Sequence, residues 1–331
     1  MRLPKFELRE PGTVQEACSI LKEHGDGAMA LAGGTDVLIA LKDRRKAPRF
    51  LVNLQAIPGL DYISYSQDGL RLGPLVRLRD IYKSPIVQQH YPILAQAASQ
   101  AGSPPHQTMG TLGGNLCLDT RCMYYNQTAF WRSGIETCLK DGGEVCYVVK
   151  KSDKCWATYC ADLAPSFIAL GARAKLTGPQ GERLIPLEEL YTGDGLRPNV
   201  LEAGQLLTEV LVPPPGPRSG GAYLKLRRRG AIDFPLLGVA VALRLSGKDG
   251  VIEDARVAMT AVDPSPVVVA EAAGLKGKAL SEEALAPVLE AAYKRARPQN
   301  DMVGPSPHYR KTMVRVLVRR GIQAALEAAR R

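Results

Sequence analysis

Residues 30–37 read ALAGGTDV, an apolar segment that runs directly into two glycines, a threonine and an aspartate. The same Gly-Gly pair recurs in TLGGN at residues 111–115, again beside a threonine. Glycine has no Cβ, so such turns bring several backbone N–H groups close to one anion, and the threonine hydroxyls add donors. One such turn predicts a phosphate site, and two predict a site for the diphosphate of a dinucleotide. Two ordinary tight turns are the simpler alternative.

The segments around the first turn predict an opening βαβ unit. Apolar periodicity indicates a helix at Val14–His24, and short apolar runs indicate strands at MALAG (29–33) and RFLVNL (49–54). Neither glycine turn matches G-x-G-x-x-G, so the chain lacks the fingerprint of a Rossmann-type NAD site. G-x-S-x-G and H-E-x-x-H are also absent, which argues against the hydrolases that depend on them.

Composition divides the rest of the chain into two further blocks. Up to about residue 215, strand-like segments (LRLGPLV, FIALGARAKL and LLTEVLV) accompany a helix near residues 93–101. PPPGPRSGG at 213–221 is rich in Pro, Gly and Ser, as linkers are. After it come strand-like YLKLRRR, GVAVALRL and ARVAMTAV, then helical stretches near 281–296 and 308–329. Strands followed by helices predict a C-terminal α+β domain.

Charge and hydropathy exclude several classes of protein. The formal net charge is +10, but the basic residues come in short separated groups with few aromatics between them. That pattern is typical of solvated faces or of a protein-docking surface rather than of a nucleic-acid site. The N-terminus has charges throughout, and no apolar run reaches the length of about eighteen residues that a membrane span needs. We expect a cytoplasmic protein that binds neither nucleic acid nor membrane.

Cysteines cluster strongly, since six of the seven lie within residues 117–160. In a reducing compartment such clusters bind metal or do redox chemistry more often than they form disulfides. Thiolates are soft anionic donors that suit iron, and a cubane cluster needs four of them. The close pairs Cys117-x4-Cys122 and Cys155-x4-Cys160 also fit a four-thiolate zinc site in a zinc-stabilised binding module. Spacing alone does not choose between iron and zinc.

The two loops and their surroundings resemble the FAD-binding medium subunit of the molybdenum hydroxylases, the xanthine dehydrogenase family. AGGTD (32–36) is similar to the family's first flavin loop, TLGGN to its second, and ADLAPSFIALGA (161–172) to the Asp-Leu-x-Pro stretch that follows. YLKLRRRGAIDFPLLGVAVAL (223–243) and HYRKTMVRVLVRR resemble the C-terminal domain and its terminal helix. The resemblance implies an α+β fold. Its parts are a two-part FAD-binding domain of the vanillyl-alcohol-oxidase (PCMH) type at 1–57 and 58–215, and a C-terminal α+β domain, an antiparallel sheet with helices, at 216–331.

The cysteine-rich segment narrows the resemblance to one branch. In most members of the family the second loop is followed closely by the Asp-Leu stretch, whereas here residues 116–160 intervene. An insertion of this kind, at about 117–160, carries a [4Fe-4S] cluster in the β subunit of the 4-hydroxybenzoyl-CoA reductase branch. The resemblance implies that Cys122, Cys138, Cys146 and Cys155 are the cluster ligands. Cys117 is then expected to pack beside the flavin loop, and Cys160, which departs from the family pattern, to be a core thiol. Some of the four aromatic side chains of the insertion are expected to shield the cluster from water: Tyr124, Tyr125, Trp131 and Trp156.

The resemblance also implies a set of FAD contacts. One FAD is expected to bind non-covalently to Ala30, Leu31, Ala32, Gly33, Gly34, Thr35, Asp36, Val37, Ala101, Thr111, Leu112, Gly113, Gly114, Asn115, Asp162, Leu207 and Lys225. Asp162 is expected to hydrogen-bond polar flavin groups, Lys225 to stabilise anionic reduced flavin, and Leu207 to contact the ring system. Plainer roles are a helix cap for Asp162 and a solvated side chain for Lys225. No residue of this chain is predicted to be catalytic.

By the same resemblance, the chain is an oxidoreductase subunit that transfers electrons while a partner converts the substrate. The partners are a molybdopterin-binding large subunit and a [2Fe-2S] small subunit, in a heterohexamer that holds each subunit in duplicate. In the 4-hydroxybenzoyl-CoA reductase branch, electrons from a ferredoxin-like donor pass the [4Fe-4S] cluster and FAD and reach molybdenum, where the phenolic hydroxyl is removed during aromatic degradation. A related hydroxylase with outward electron flow, and a stand-alone flavin oxidase, are the open alternatives.

Overall fold

A small parallel sheet and a capped helix open the chain. The structure is a computed structural model that describes residues 2–247, 250–300 and 304–331. Strands β1 (Glu7–Arg9), β2 (Ala28–Leu31) and β3 (Phe50–Asn53) form the sheet in the order β1-β3-β2. Helix α1 (Val14–His24) begins after Thr13, whose hydroxyl accepts a hydrogen bond from the N–H of Glu16 at 3.1 Å. This is the usual bond of a helix N-cap.

The middle of the chain builds a second, antiparallel sheet. Its strands are β4 (Ile63–Ser66), β5 (Gly69–Leu72), β6 (Arg173–Gly178), β7 (Gly181–Pro186) and β8 (Leu206–Val212), in the order β4-β5-β8-β6-β7. The accompanying helices are α2 (Val37–Lys42), α3 (Leu78–Lys83), α4 (Pro85–His90), α5 (Pro92–Gln100), α6 (Pro104–Met109), α7 (Leu112–Leu116), α8 (Ala129–Arg132) and α9 (Leu163–Ala169). Short 3-10 helices occupy Gly25–Gly27, Leu54–Ala56, Leu139–Asp141, Leu187–Leu190 and Ala270–Leu275.

The C-terminal part is an antiparallel sheet with two long helices, as the sequence predicts. The strands are β9 (Ser219–Leu226), β10 (Leu237–Ser246), β11 (Val251–Thr260) and β12 (Val267–Val268), in the order β12-β11-β10-β9. The helices are α10 (Glu282–Arg295) and α11 (Pro307–Arg330). Helix α11 begins with Pro307 in its first turn, where proline costs no hydrogen bond.

The C-terminal sheet is buried on both faces, because side chains alternate along each strand. Ala240 of β10 belongs to the largest apolar cluster, together with residues of α5 and α9. Its neighbours Val239 and Val241 face the other way and pack in a second cluster with α10 and α11. A third, smaller cluster lies between α1 and β3. The middle and C-terminal parts of the chain therefore share a continuous packed core.

One predicted strand is wrong. The segment FIALGARAKL contains the end of helix α9, and its strand begins only at Arg173. Every residue of α9 is buried, so its sequence is a continuous apolar run. Hydrophobic periodicity does not separate a fully buried helix from a buried strand over so short a length.

The predicted linker at 213–221 is also wrong in part, because β9 already begins at Ser219. A Cβ on Gly220 would lie 2.1 Å from the carbonyl oxygen of Ala325 in α11. Glycine therefore allows close approach of α11 to β9. The segment has few packing side chains because backbone packs directly against backbone.

Candidate cofactor sites

The two Gly-Gly loops meet in the folded chain. A Cβ on Gly33 would lie 1.9 Å from the carbonyl oxygen of Met109 and 3.1 Å from the Cα of Gly110, just before the second loop. Gly34 has a φ of +72°, a left-handed conformation that glycine adopts without strain. In the second loop, the Thr111 hydroxyl accepts a hydrogen bond from the N–H of Gly114 at 3.2 Å. Both loops are thus held in fixed turns against one another.

A cleft of about 650 Å³ opens beside these loops, within the range of roughly 300–1,000 Å³ that small-molecule and cofactor sites occupy. The predicted FAD contacts that line it are Ala30, Ala32, Gly34, Thr35, Asp36, Val37, Ala101, Thr111, Gly113, Gly114, Asn115, Asp162 and Leu207. The predicted contacts that do not line it are Leu31, Gly33, Leu112 and Lys225. Of these, Leu112 is fully buried in the largest apolar cluster, and Gly33 packs against Met109.

A buried ion pair stands at one wall of the cleft. The Asp162 carboxylate and the Lys225 ammonium are 2.9 Å apart, and their side chains are 4% and 0% exposed. Asp162 also accepts a hydrogen bond from the Tyr223 hydroxyl at 2.7 Å, and Lys225 donates to the carbonyl oxygen of Gln100 at 2.8 Å. Burial raises the pKa of Asp162, and the positive charge of Lys225 works against that rise. Lys225 is therefore not the solvated side chain of the simpler interpretation.

The helix-cap alternative for Asp162 is not supported either. Asp162 precedes α9 but its side chain makes no capping hydrogen bond. Instead, the side-chain oxygen of Asn115 accepts a hydrogen bond from the N–H of Leu163 at 3.3 Å. The second glycine loop thus holds the start of α9, and the Asp162 carboxylate is left to its ion pair at the cleft wall.

A second ion pair, with a partner that the sequence did not identify, lines the same cleft. Asp36 of the first loop lies 2.7 Å from the guanidinium of Arg121, which stands over the Phe234 ring at 4.5 Å. Arg121 and Phe234 both line the cleft. The sequence carried no signal for Arg121, because a single arginine among scattered basic residues has no distinguishing spacing.

The four cysteines predicted as cluster ligands line one small cavity of about 10 Å³, formed within the insertion. The other residues around it are largely apolar or aromatic: Tyr124, Leu139, Val145, Tyr147 and Val148, with Lys140. Two of the sulfurs accept backbone hydrogen bonds, Cys122 Sγ from the N–H of Tyr125 at 3.3 Å and Cys155 Sγ from the N–H of Ala157 at 3.4 Å. Such bonds and an apolar cover are the means by which proteins tune thiolate-bound metal.

Cys117 and Cys160 lie apart from that cavity and line the large cleft instead. Burial raises the pKa of each of these two thiols to about 12. The four-thiolate zinc alternative combines these two cysteines with Cys122 and Cys155, so its members are divided between two cavities. The structure does not bring that set together.

Among the residues that the structure describes, no three His, Cys, Asp or Glu side chains are placed to hold a single metal ion. A tetrahedral zinc ion requires thiolate sulfurs only about 3.8 Å apart, whereas a cubane spreads its four thiolates over four iron corners. The cysteine cavity is therefore not a single-ion site as it stands. Its donor set, four thiols with apolar cover, is of the type that iron–sulfur clusters use.

Of the aromatic residues expected to shield a cluster, Tyr124 lines the cysteine cavity and its ring contacts that of Tyr147, with centroids 5.1 Å apart. Tyr125 is buried beside Cys122. Trp131 is 37% exposed, and the Trp156 ring contacts the cations of Lys154 and Arg297 at 4.4 and 5.0 Å; neither lines the cavity. Tyr147 is thus a cover residue that sequence reasoning missed.

Two sequence profiles match almost the whole chain. The profile described as "FAD binding domain in molybdopterin dehydrogenase" matches residues 4–215, and "CO dehydrogenase flavoprotein C-terminal domain" matches residues 221–325. The chain belongs to the FAD-binding medium subunits of the molybdenum hydroxylase family. Membership confirms the prediction of a flavoprotein subunit of an oxidoreductase, with FAD as its cofactor.

Several relatives match most of the chain, and a solved one has the same fold. The carbon monoxide dehydrogenase medium chain of Hydrogenophaga pseudoflava is 29% identical over 325 residues, or 97% of each chain. The aldehyde oxidoreductase FAD-binding subunit of Escherichia coli is 32% identical over 254 residues, covering 73% of this chain and 78% of the relative. The solved carbon monoxide dehydrogenase from Hydrogenophaga pseudoflava superposes with a TM-score of 0.82, covering 99% of both chains at 29% identity.

Within the residues that the structure describes, no helix has both the length and the apolar character needed to cross a membrane.

Proposed function

We propose that this chain is the flavin and [4Fe-4S] subunit of a molybdenum-containing reductase of the 4-hydroxybenzoyl-CoA reductase type. It would pass electrons from a ferredoxin-like donor in the cytoplasm to molybdopterin and [2Fe-2S] subunits, in a heterohexamer, for reductive dehydroxylation of an aryl-CoA thioester. The observation that carries the proposal is the convergence of Cys122, Cys138, Cys146 and Cys155 on one cavity beside the flavin cleft. The domain limits at 57 and 215 remain predictions.

The two cavities are adjacent along the chain. Arg121 lines the cleft and its neighbour Cys122 lines the cysteine cavity, so consecutive residues link the two cofactor sites. When bound, FAD exchanges one or two electrons and a [4Fe-4S] cluster exchanges one at a time. Two such sites, lined by consecutive residues of one chain, support an electron-transfer function. The chain supplies the ligands, the apolar cover and the glycine loops that hold the cofactors.

The residues fit both groups. For FAD, the glycine loops offer close backbone approach, Asp162 supplies a carboxylate that Lys225 holds from behind the cleft wall, and Leu207 supplies an apolar surface. For the cluster, each of four thiols is available because the described chain contains no disulfide involving them. The insertion is what supports the 4-hydroxybenzoyl-CoA reductase branch over other members of the family.

Anaerobic purification of the full chain tests the cluster assignment. We expect a visible spectrum with flavin and iron–sulfur absorption, and iron and acid-labile sulfide in matching amounts. Substitution by Ser at Cys122, Cys138, Cys146 or Cys155 should lose iron, while Cys117→Ser and Cys160→Ser, the matched controls, should retain it. Loss of metal from Cys117→Ser and Cys160→Ser with retention in Cys138→Ser and Cys146→Ser would establish the zinc arrangement instead.

A hydroxylase with outward electron flow is the second candidate. It is favoured by the names of the relatives, which include carbon monoxide dehydrogenase and nicotinate dehydrogenase. The two functions differ in what reduces the complex. In the native complex, flavin bleaching by reduced ferredoxin and not by an aromatic substrate supports the reductase. Bleaching by a substrate alone supports the hydroxylase.

A further inference from the structure

A buried lysine stands between the two cofactor sites. Lys140 lines the cysteine cavity, and its side chain is only 6% exposed. Its ammonium lies 2.7 Å from the carboxylate of Asp119, which lines the flavin cleft. The pair therefore spans the wall between the cavities, with its positive end on the thiol side and its negative end on the flavin side.

Several contacts hold the ammonium in this position. Lys140 donates to the Thr120 hydroxyl at 2.9 Å and to the carbonyl oxygen of Gly195. The Thr120 hydroxyl donates to the same carbonyl at 2.8 Å, and the Gly195 N–H donates to the carbonyl oxygen of Cys155 at 2.8 Å. The ammonium is thus tied to the backbone of one predicted ligand and cannot swing into solvent without breaking a bonded set.

An ion pair on the protein surface would have little electrostatic effect on either cofactor site, because water screens its charges. Here the Lys140 side chain is 6% exposed and that of Asp119 is 32% exposed, so the lysine charge is screened little and the carboxylate charge is screened in part. A cation beside a metal–thiolate site stabilises the more negative, reduced state. A carboxylate beside a flavin disfavours the added electron.

We propose that Lys140 and Asp119 form an electrostatic bridge that shifts the reduction potentials of the two cofactor sites in opposite directions. Lys140 raises the potential on the cluster side, and Asp119 lowers it on the flavin side. Both are positioning residues that act through charge and touch no substrate. The inference rests on the proposed function, since it requires a cluster at the four cysteines.

The test is a redox titration of the anaerobically purified full chain, with the cluster followed by electron paramagnetic resonance and the flavin by absorbance. We expect Lys140→Met to shift the cluster midpoint to more negative potential and Asp119→Asn to shift the flavin midpoint to more positive potential. The double variant should lie between the two single variants at both sites. Lys140→Arg keeps the charge and should stay close to the parent.

The sign of the shifts separates this role from a structural one. Removing a positive charge and removing a negative charge should shift the midpoint potentials in opposite directions, whereas a general loosening of the fold would not depend on the sign of the charge removed. Lys175→Met is the control, since Lys175 forms an ion pair of the same length with Glu182 and lines neither cavity. If Lys140→Met loses its iron, the flavin midpoint of Asp119→Asn still tests the bridge: a shift to more positive potential supports it, and an unchanged midpoint contradicts it. Iron present with midpoints equal to those of Lys175→Met overturns the bridge alone. Absence of iron from the parent chain overturns the cluster and the bridge together.

Discussion

Lys225 and Asp162 show how a single buried charge depends on its partner. Removing one member of a buried pair leaves the other uncompensated, at a cost of about 3–5 kcal/mol. We therefore expect Lys225→Met to lower the free energy of unfolding by about that amount at neutral pH, measured by urea denaturation. Lys175→Met breaks a pair whose side chains are 32% and 52% exposed and should cost only about 0–1 kcal/mol.

The pH dependence of that penalty follows from Asp162. Burial raises its pKa in the folded chain, with Lys225 opposing the rise, so the folded state takes up a proton more readily than the unfolded state. Without Lys225 the rise is larger, and protonation removes the uncompensated charge. The difference between Lys225→Met and the parent should shrink as the pH falls through the folded pKa of Asp162. A penalty that stays constant from neutral to acidic pH would contradict this role of the carboxylate.

Gly34 and Gly114 are expected to be necessary for FAD. Valine at Gly34 must adopt a φ of +72°, which costs a β-branched residue about 1–3 kcal/mol. A Cβ at Gly114 would lie 3.1 Å from the Thr111 hydroxyl that its own N–H contacts. Both variants should lose flavin, as measured by absorbance of the purified chain. Gly274→Val, where a Cβ meets nothing within 4 Å, should keep it; full flavin in both loop variants would remove the two-loop assignment.

At this scale, residue types within a motif were predictable and long-range partners were not. The Gly-Gly loops have a local signature because close backbone approach demands glycine at neighbouring positions. The partner of Asp162 is 63 residues away along the chain. Asp36 pairs with Arg121 because the fold places the start of the insertion next to the first loop. No local pattern records such contacts.

Among the elements, the cysteine insertion is attached at a narrow neck. Arg121 and Thr158 pair as an antiparallel bridge, with N–O distances of 2.9 and 2.7 Å. Residues 122–155, all of which the structure describes, contribute no side chain to the three apolar clusters. The insertion therefore adds no side chain to these apolar clusters, and its residues 125–132 hydrogen-bond to the backbone of residues 43–45.

Excising the insertion should separate the two cofactors. We expect replacement of residues 122–157 by a short Asn-Gly turn to keep FAD and to lose all iron, because the core and both glycine loops remain. The measurements are flavin absorbance, iron content and the melting temperature. Cys138→Ser in the full chain is the control for loss of iron alone. An excised chain that no longer folds would show that the insertion is part of the core after all.

Element prediction succeeded where a segment has one exposed face. LLTEVLV forms β8 at the predicted residues, with Thr208 and Leu211 partly exposed and its other side chains buried, and Val14–His24 is a helix with a capped start. It failed for α9, whose seven residues are all buried. The cavity of the four cysteines could not be read from their spacing, since its walls come from turns without periodicity.

For the whole molecule, we expect the isolated chain to transfer electrons without converting a substrate. No residue of this chain is predicted to be catalytic, so conversion of an aryl-CoA thioester is assigned to a partner subunit. Purified alone, the chain should reduce artificial dyes from a strong donor and leave 4-hydroxybenzoyl-CoA unchanged. The native complex, isolated with its partner subunits, is the positive control. Full reductase activity in a monomer would make this a stand-alone flavoenzyme.

The domain division illustrates what a sequence reveals at the largest scale. Two profiles meet near residue 215, where the sequence also changes composition. Yet β10 faces both neighbouring clusters, so the boundary along the chain is not a boundary in the packed core. Amino-acid composition detects the position of a domain boundary along the chain. Only side-chain packing shows whether the two domains have separate cores.

The position of Lys225 also bears on the order in which the protein matures. Synthesis proceeds from the N-terminus, and N-terminal regions fold first as they leave the ribosome. Asp162 and both glycine loops emerge well before β9, which carries Tyr223 and Lys225 to the cleft wall. Until that strand is in place and α11 has packed over Gly220, the nascent cleft holds a carboxylate without its cation. Stable cofactor loading is therefore expected to be a late, post-translational event, completed only when the last helix has left the ribosome.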